Sequence, residues 1–377
     1  MQTAPRSCRI FTIAALSVLL GCAGGESGSG GGSGGGPGSG TGGAGSGGST
    51  GSGGSTGSGG STTDTGGSGS GGAVADAATS ETAGPLEVGA AGDALADAPA
   101  AGSDADQGPC TTNSLRPGNS NLMIPFGGNN RDYVLHVPAS YTGKTRVAVV
   151  VDMHGAVNVP AQEINGSGWL QKSDQVGFIT IFPHGQGGSW NAGTCCAPAG
   201  APASATSTAD DVGFIRAVMA KTNQDGCIDL KRIYAVGLSN GGLMSYRLAC
   251  DAGDLFAGIA PVSGASVTAP CKPSRPVNVV AFRGTMDATV PYSGGMPGAH
   301  LWPSAMADHE QWRTLDQCTG TPTTSRGVCQ TYSQCAGGVE VTMCSVVGGH
   351  VLYGPAAAAN VAVPTVAWEI FQRHAGM

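Results

Sequence analysis

The stretch KRIYAVGLSNGGLMSYRLACD, residues 231–251, decides the fold. RIYAVG is an apolar run with the composition of a buried strand, and NGGLMSYRLACD places its apolar residues at helical spacing. Between them lies Gly237-Leu238-Ser239-Asn240-Gly241, a G-x-S-x-G pattern. In a chain with 66 glycines the pattern means little by itself, so its flanks carry the argument. A strand that turns sharply into a helix needs small residues on both sides of the turning position. Such a turn leaves the serine hydroxyl at a helix N-terminus, where backbone N–H groups favour developing negative charge. The plainer alternative is a serine that only caps the helix.

Outward from this turn, strand and helix patterns alternate. RDYVLHV (131–137) alternates and stops at a proline, as a half-exposed strand does. RVAVVVDMHG (146–155), GFITIFP (177–183), FAGIAPVSG (256–264) and PVNVVAFRG (276–284) are continuous apolar runs, the mark of strands buried on both faces. GVEVTMCSVV (338–347) is a further strand. ADDVGFIRAVMAKTNQ (209–224), SAMADHEQWRTLDQC (304–318) and VAVPTVAWEIFQRHA (361–375) read as helices. This order predicts an α/β fold: one mostly parallel central sheet with helices on both faces. Ligands on such sheets bind beyond the carboxyl ends of the strands, so the residues just after each strand are the ones to inspect.

A serine nucleophile needs a base, and the base needs an orienting carboxylate. After the strand ending at Gly284 stands Asp287, in GTMDATVPY; after the strand ending at Val347 stands His350, in GGHVLYG. Asp287 could instead cap a turn, and His350 could be a packed loop histidine. The other histidines are less well placed. His154 precedes the serine in sequence and reads as a turn and packing residue. His300 and His309 fall in an insertion or on a helix, and His374 is near the C-terminus. Asp308 and Asp316 lie on a helix, where a solvated face explains them. An oxyanion site needs two backbone donors, expected from Asn240, directly after the serine, and from Ala156, in the turn DMHGAV. Trp190, in GGSWNAGTCC, is expected at the substrate-binding edge, where it could stack on a phenolic group or pack beneath the loop. No paired short spacings of Cys and His suggest a metal, and none is expected.

The ends of the chain tell a separate story. Arg6 and Arg9 precede an apolar run at 10–20, too short for an ordinary spanning helix and placed like an export signal. The run ends in Leu19-Leu20-Gly21-Cys22, which resembles the lipobox of bacterial lipoproteins, with Cys22 as the acylated residue and 1–21 as the signal peptide. An ordinary secretory signal is the alternative. Residues 22–108 are Gly/Ser/Thr-rich and then Ala/Asp-rich, with no apolar periodicity, and are expected to form a flexible tether. Much of the net charge of −7 sits there, at Asp76, Glu81, Glu87, Asp93, Asp97, Asp104 and Asp106. The acidity therefore solvates a tail, and no basic stripe points to nucleic acid. Residues 109–377 have the length of one large domain. They hold ten of the twelve cysteines: Cys110, Cys195, Cys196, Cys227, Cys250, Cys271, Cys318, Cys329, Cys335 and Cys344. An even number in an exported chain predicts disulfides. Nearness in the chain suggests Cys250–Cys271, Cys318–Cys344 and Cys329–Cys335, with Cys195 and Cys196 taking Cys110 and Cys227 in some order.

Taken together, RDYVLHVP, DMHG, GFITIFPHG, SWNAGTCC, ADDVGFIRAVM, RIYAVGLSNGGLMSYRLAC, GTMDATVPY and GGH resemble the secreted serine esterases that include feruloyl esterases, acetylxylan esterases and polyhydroxybutyrate-depolymerase-like proteins. The resemblance covers nearly all of 110–377. It implies an α/β-hydrolase fold, Ser239, Asp287 and His350 as a catalytic triad, and Ala156 and Asn240 as oxyanion donors. It implies no cofactor. Three departures stand out: Arg283 where the family usually has histidine, Val-Leu-Tyr-Gly after His350, and Asp-Met before His154. All three are expected to flank the pocket and bear on substrate preference. The sequence thus predicts an exported, lipid-anchored carboxylic ester hydrolase at a bacterial cell surface or outer membrane, or a secreted one. Its partner would be a polymeric ester, with feruloylated plant polysaccharide ahead of polyhydroxybutyrate. A non-catalytic polymer-binding surface protein and a serine peptidase are the rivals of other kinds.

Overall fold

The computed structural model describes residues 110–111, 113–201, 207–354 and 361–375. The signal segment 1–21, Cys22 and the tether 22–108 lie outside the described residues. Among those described, ten strands form one sheet in the order β1-β2-β4-β3-β5-β6-β7-β10-β9-β8. The strands are β1 (Gly118–Phe126), β2 (Asn129–Val137), β3 (Val147–Met153), β4 (Ile179–Pro183), β5 (Ile228–Leu238), β6 (Gly258–Val262), β7 (Asn278–Gly284), β8 (Thr323–Ser325), β9 (Cys329–Tyr332) and β10 (Val341–Val346). From β4 through β3, β5, β6 and β7 to β10 the pairing is parallel. Antiparallel ribbons finish both edges, β1–β2 on one side and β9–β8 on the other. The expected mostly parallel sheet is present, and its topology is that of an α/β-hydrolase.

The helices are α1 (Pro160–Gly166), α2 (Trp169–Val176), α3 (Asp211–Asp225), α4 (Asn240–Asp251), α5 (Ala305–Leu315) and α6 (Val363–Arg373). Alternation along the strands sorts the core into two layers. Val149 and Val151 of β3 and Ile233 and Ala235 of β5 pack with Phe214 of α3, Leu243 of α4 and Trp312 of α5. Val150, Tyr234 and Val236 point the other way and pack with Trp169 of α2 and Trp368 and Phe371 of α6. On that second face Tyr234 stacks on Phe371, with ring centroids 4.1 Å apart. A sheet buried on both sides in this way explains why its central strands read as unbroken apolar runs. None of the described helices is long and apolar enough to cross a membrane.

The ribbon strands β1, β8 and β9 and the short helices α1 and α2 have no counterpart in the sequence reading. β1 alternates between exposed and half-buried residues without full burial, and β8 is wholly exposed, so neither carries a strong apolar signal. The disulfides correct the expected pairing. Cys250–Cys271 forms as expected, but the others are Cys110–Cys227, Cys195–Cys196, Cys318–Cys335 and Cys329–Cys344. Strand register decides two of these: Cys329 of β9 lies directly opposite Cys344 of β10, which leaves Cys335 for Cys318. Cys195 and Cys196 bond to each other, and Cys110 then closes on Cys227, so the N-terminal segment is pinned to the start of β5.

One pair of buried acids links β3 and α1. Asp152 of β3 and Glu163 of α1 are both buried, and Asp152 Oδ2 and both Glu163 carboxyl oxygens have no hydrogen-bond partner. Burial pushes Asp152 up to about 7, against a bond from Ser167. Burial and then the charge of Asp152 push Glu163 well up. An acid whose folded pKa is raised contributes its full stability below the ordinary carboxylate range and loses it as pH rises through the folded value. Asp152→Asn, which keeps the shape and removes one titration, should therefore flatten the fall of Tm between about pH 4 and pH 7. Thermal melts across that range check this; an equally steep fall in the variant would overturn it.

Candidate active site

Ser239 lies between β5 and α4 with φ 55° and ψ −117°, in the left-handed half of backbone space that a side chain rarely adopts. Two neighbours make the turn possible. A Cβ on Gly237 would lie 2.4 Å from the Met153 carbonyl oxygen, and one on Gly241 would lie 2.0 Å from the same atom. The Ser239 N–H donates to Val262 O at 2.8 Å, which ties the turn to the end of β6. Ser239 occupies the cap position of α4 but makes no side-chain capping bond, so the plain capping reading does not describe it.

Asp287 and His350 come together as neighbours beyond β7 and β10. His350 Nδ1 bonds Asp287 Oδ2 at 2.8 Å, and Asp287 Oδ1 accepts from the N–H groups of Thr289 and Val290 at 2.9 Å each. Burial alone would raise the Asp287 carboxyl; the His350 bond and the two backbone donors outweigh it and hold the group below the usual carboxylate range. A carboxylate that stays ionised fixes the His350 tautomer with Nδ1 as donor and leaves Nε2 as the free acceptor. The His350 loop reaches the serine side of the site through Ser263, directly after β6, whose hydroxyl meets Val351 O at 3.5 Å. Among the described residues, His350 and Ser239 are not joined by a hydrogen bond; the formed half of the arrangement is Asp287–His350.

The turn after β3 is fixed by two aromatic side chains. His154 is fully buried, its Nε2 accepts from the Gly185 N–H at 3.0 Å, and its Nδ1 meets Gly155 O at 2.7 Å. Burial pushes its pKa down to about 4, so the ring is neutral and donates from Nδ1. In a trans peptide the C=O and N–H point in opposite directions, so holding Gly155 O against the ring turns the Ala156 N–H away from it. Gly155 packs against the elbow, its Cβ position 3.6 Å from Ser239 Cβ. Asn240 is the first residue of α4, so its N–H has no intrahelical acceptor. Its side chain is spent elsewhere: Oδ1 accepts from the Trp190 N–H at 2.6 Å and Nδ2 donates to Trp190 O at 3.1 Å.

Trp190 corrects one expectation. It is fully buried, with Nε1 donating to His154 O at 2.9 Å, and so offers no face to a substrate. It packs beneath the loop and braces His154 and Asn240 together. Arg283 and Asp152, expected to flank the pocket, are both buried. Arg283 is fully buried; it donates to Asp308 Oδ2 at 2.7 Å, to Gly264 O at 2.9 Å and to Pro291 O at 3.0 Å. It therefore staples the loop after β6 and the loop carrying Asp287 to α5. Asp308, expected on a solvated helix face, is instead fully buried, with Oδ1 accepting from the Ser266 N–H at 3.2 Å. Two supporting residues went unseen in the sequence. Asp210 caps α3 by accepting from the Gly213 N–H, while the adjacent Asp211 holds Arg131 and the Asn191 N–H, each at 2.7 Å. A pair of acids at a helix start was the available signal, since only one of them can cap. Among the described residues no three His, Cys, Asp or Glu side chains cluster as metal ligands.

Comparison with known proteins finds similarity to hydrolases. The profile of the prolyl oligopeptidase family matches residues 168–270, a part that includes the Ser239 turn. Feruloyl esterase B of Piromyces equi is 32% identical over 239 residues, 58% of this chain and 42% of that protein. Feruloyl esterase C of Emericella nidulans is 26% identical over 250 residues, 64% of this chain and 84% of that protein. The chain spans about half the length of the first curated relatives it matches. A solved acetyl xylan esterase from Aspergillus awamori superposes with a TM-score of 0.47 at 16% identity, covering 67% of this chain and 99% of that one. The chain is an α/β-hydrolase similar in sequence to feruloyl esterases.

The Arg283–Asp308 pair gives a test of how the site is held. Burial pushes the Asp308 carboxyl up to about 7 against the pull of Arg283, so at pH 8 the pair is charged on both sides. Removing one member of a buried pair strands the other, at a cost of about 3–5 kcal/mol. Asp308→Asn should lower the unfolding free energy by about that much in urea melts at pH 8. A loss below about 1 kcal/mol would mean that the pair does not hold these loops.

Proposed function

We propose that this chain is an exported serine carboxylic ester hydrolase that acts on feruloyl-type esters of plant polysaccharide. In this reading the Ser239 hydroxyl attacks the ester carbonyl while His350 Nε2 takes its proton. The Ala156 and Asn240 N–H groups receive the developing oxyanion. His350 then protonates the leaving alkoxide, an acyl-enzyme remains on Ser239, and water activated by the same histidine releases the acid. Asp287 holds the imidazole and stabilises its charged form. The observation that carries the reading is the 2.8 Å Asp287–His350 bond on the sheet edge where Ser239 sits at a strained turn. The sequence similarity to feruloyl esterases supports the choice of ester.

A polyester such as polyhydroxybutyrate is the second reading, and exposed aliphatic side chains favour it. Val157 and Val159 follow β3, Met286 and Leu301 follow β7, and Val347 and Val351 follow β10, all half or more exposed apart from Val159 at 48%. Side-by-side kcat/KM for methyl ferulate and a hydroxybutyrate oligomer decides between the two. Higher values for methyl ferulate are expected, and a clear preference for the oligomer would move the assignment. For location, the lipobox-like Leu-Leu-Gly-Cys22 supports a lipid anchor at the cell surface. Cys22→Ser should leave the protein soluble, and its recovery in the membrane pellet would count against the anchor.

The mechanism has its own test. Ser239→Ala should reduce ester hydrolysis by about 10⁴-fold or more, with His350→Ala nearly as damaging, because the members of such a site act as a unit. His154→Ala should act mainly through Tm, because His154 is buried and bonded on both ring nitrogens. A folded His154→Ala enzyme whose kcat fell as far as that of His350→Ala would show that the base has been misassigned.

A further inference from the structure

Asp152 and Glu163 place two carboxyls of the same sign together out of reach of solvent. Asp152 is 1% exposed and Glu163 is 0% exposed, and three of their four carboxyl oxygens have no hydrogen-bond partner. Two ionised carboxylates offer only acceptors, so neither can bond the other; a single proton turns one of them into a donor. The elements around the pair offer no cation in exchange. β4 carries no ionisable side chain. α2 carries Lys172 and Asp174, and Asp174 bonds His136. On β5, Tyr234 bonds Phe371 O, while Asp229, Lys231 and Arg232 lie toward the other end of the strand from Val236, the partner of Asp152. In the segment after β10, His350 bonds Asp287 and Tyr353 bonds Gly349 O. Burial pushes both acids up, Asp152 to about 7, and no positive charge offsets it. Two such carboxyls titrate as a pair that keeps a proton at neutral pH.

The pair stands at a junction. Asp152 is followed by Met153, whose carbonyl meets the glycines of the Ser239 elbow, and then by the turn to Ala156. Glu163 lies one turn before Gly166 at the end of α1, and its carbonyl accepts from the Ser167 N–H at 2.9 Å. That end of α1 packs on the segment that follows His350. A Cβ on Gly166 would lie 2.8 Å from Leu352 Cδ1, and one on Gly354 would lie 2.3 Å from Gly166 O and 3.3 Å from Ser167 O. Tyr353, between those contacts, bonds Gly349 O at 2.5 Å, directly before His350. Close-packed contacts transmit strain, so a shift of α1 away from β3 reaches the backbone on both sides of His350.

We infer that Asp152 and Glu163 share a proton that holds α1 against β3, and that the pair thereby positions His350 for catalysis. Neither acid touches substrate; both act through the packing of α1 on the His350 segment, and their role in catalysis rests on the ester-hydrolase reading. When the proton leaves, two buried like charges repel, α1 parts from β3, and the His350 segment loses its support. Because burial raises the pair in the folded protein, this loss comes as pH rises. The test compares the wild type with the double variant Asp152→Asn/Glu163→Gln, whose amides keep the shape and bond each other at any pH. Backbone hydrogen exchange, corrected for the intrinsic effect of pH, is read at pH 6 and pH 8.5 in peptides covering 160–167 and 348–354. Protection of both should fall at pH 8.5 in the wild type and hold in the variant. An acid that titrates at about 7 is about 97% ionised at pH 8.5, so kcat/KM for methyl ferulate should fall roughly thirtyfold in the wild type relative to the variant between the two pH values. Should the double variant not fold, Asp152→Asn alone serves the same comparison. Wild-type protection that is equal at both pH values, or an equal loss in the variant, would overturn the positioning role. Exchange needs no substrate, so a chain that hydrolyses no ester at either pH would count against the hydrolase reading and leave the exchange result to decide the pair.

Discussion

The approach of the elbow to the end of β3 is the constraint on which the rest of the site depends. Gly237 and Gly241 both press on the Met153 carbonyl, with no room for a side chain at either position. That contact does two things at once. It permits the left-handed conformation of Ser239, which costs on the order of 1–3 kcal/mol and survives only where the surroundings over-determine it. It also sets how far the serine lies from the peptide that leaves β3 through His154 and Gly155 to Ala156. A larger residue at either glycine would push the elbow away from the amide that the proposed oxyanion needs. The G-x-S-x-G pattern is thus a statement about the distance between two strands.

That distance is defended by polar contacts that reach across the sheet edge. Trp190 donates from its ring to His154 O, and its backbone is bonded twice by the Asn240 side chain. His154 in turn holds Gly155 O and the Gly185 N–H. The turns after β3, β4 and β5 are therefore tied together by hydrogen bonds. Asp211 extends the unit to β2 through Arg131 and to the Trp190 loop through the Asn191 N–H. All of these groups are buried or half-buried, where a hydrogen bond is electrostatically stronger and an unmade one is costly.

The parts of this arrangement that were legible in the sequence are those written in local order. The central strands declared themselves as apolar runs, and Ser239, Asp287 and His350 each follow a strand in a readable sequence context. The edge strands β1 and β8 did not, because they bury too little for patterning to show. The disulfides failed for a different reason. Proximity in the chain suggested Cys329–Cys335, but pairing follows the register of β9 on β10, which a single sequence does not contain. Trp190 was placed on the right loop and the wrong side of it. Nothing in GGSWNAGTCC distinguishes a ring that faces solvent from one whose N–H is taken by a carbonyl below.

The three departures from the family pattern show which features can alter substrate preference. Arg283 and Asp152 are both buried, Arg283 bonded to Asp308 and Asp152 beside Glu163, so neither presents its side chain at the surface. After His350, Leu352 packs against Gly166, and the Tyr353 hydroxyl bonds Gly349 O at 2.5 Å, so that segment is folded back onto the protein as well. The loops after β6 and β7 are held together from beneath, because Arg283 donates to Gly264 O in one and to Pro291 O in the other. Arg283 therefore acts at a distance: it meets no exposed surface itself, but it ties the loop after β6 to the loop that carries Asp287.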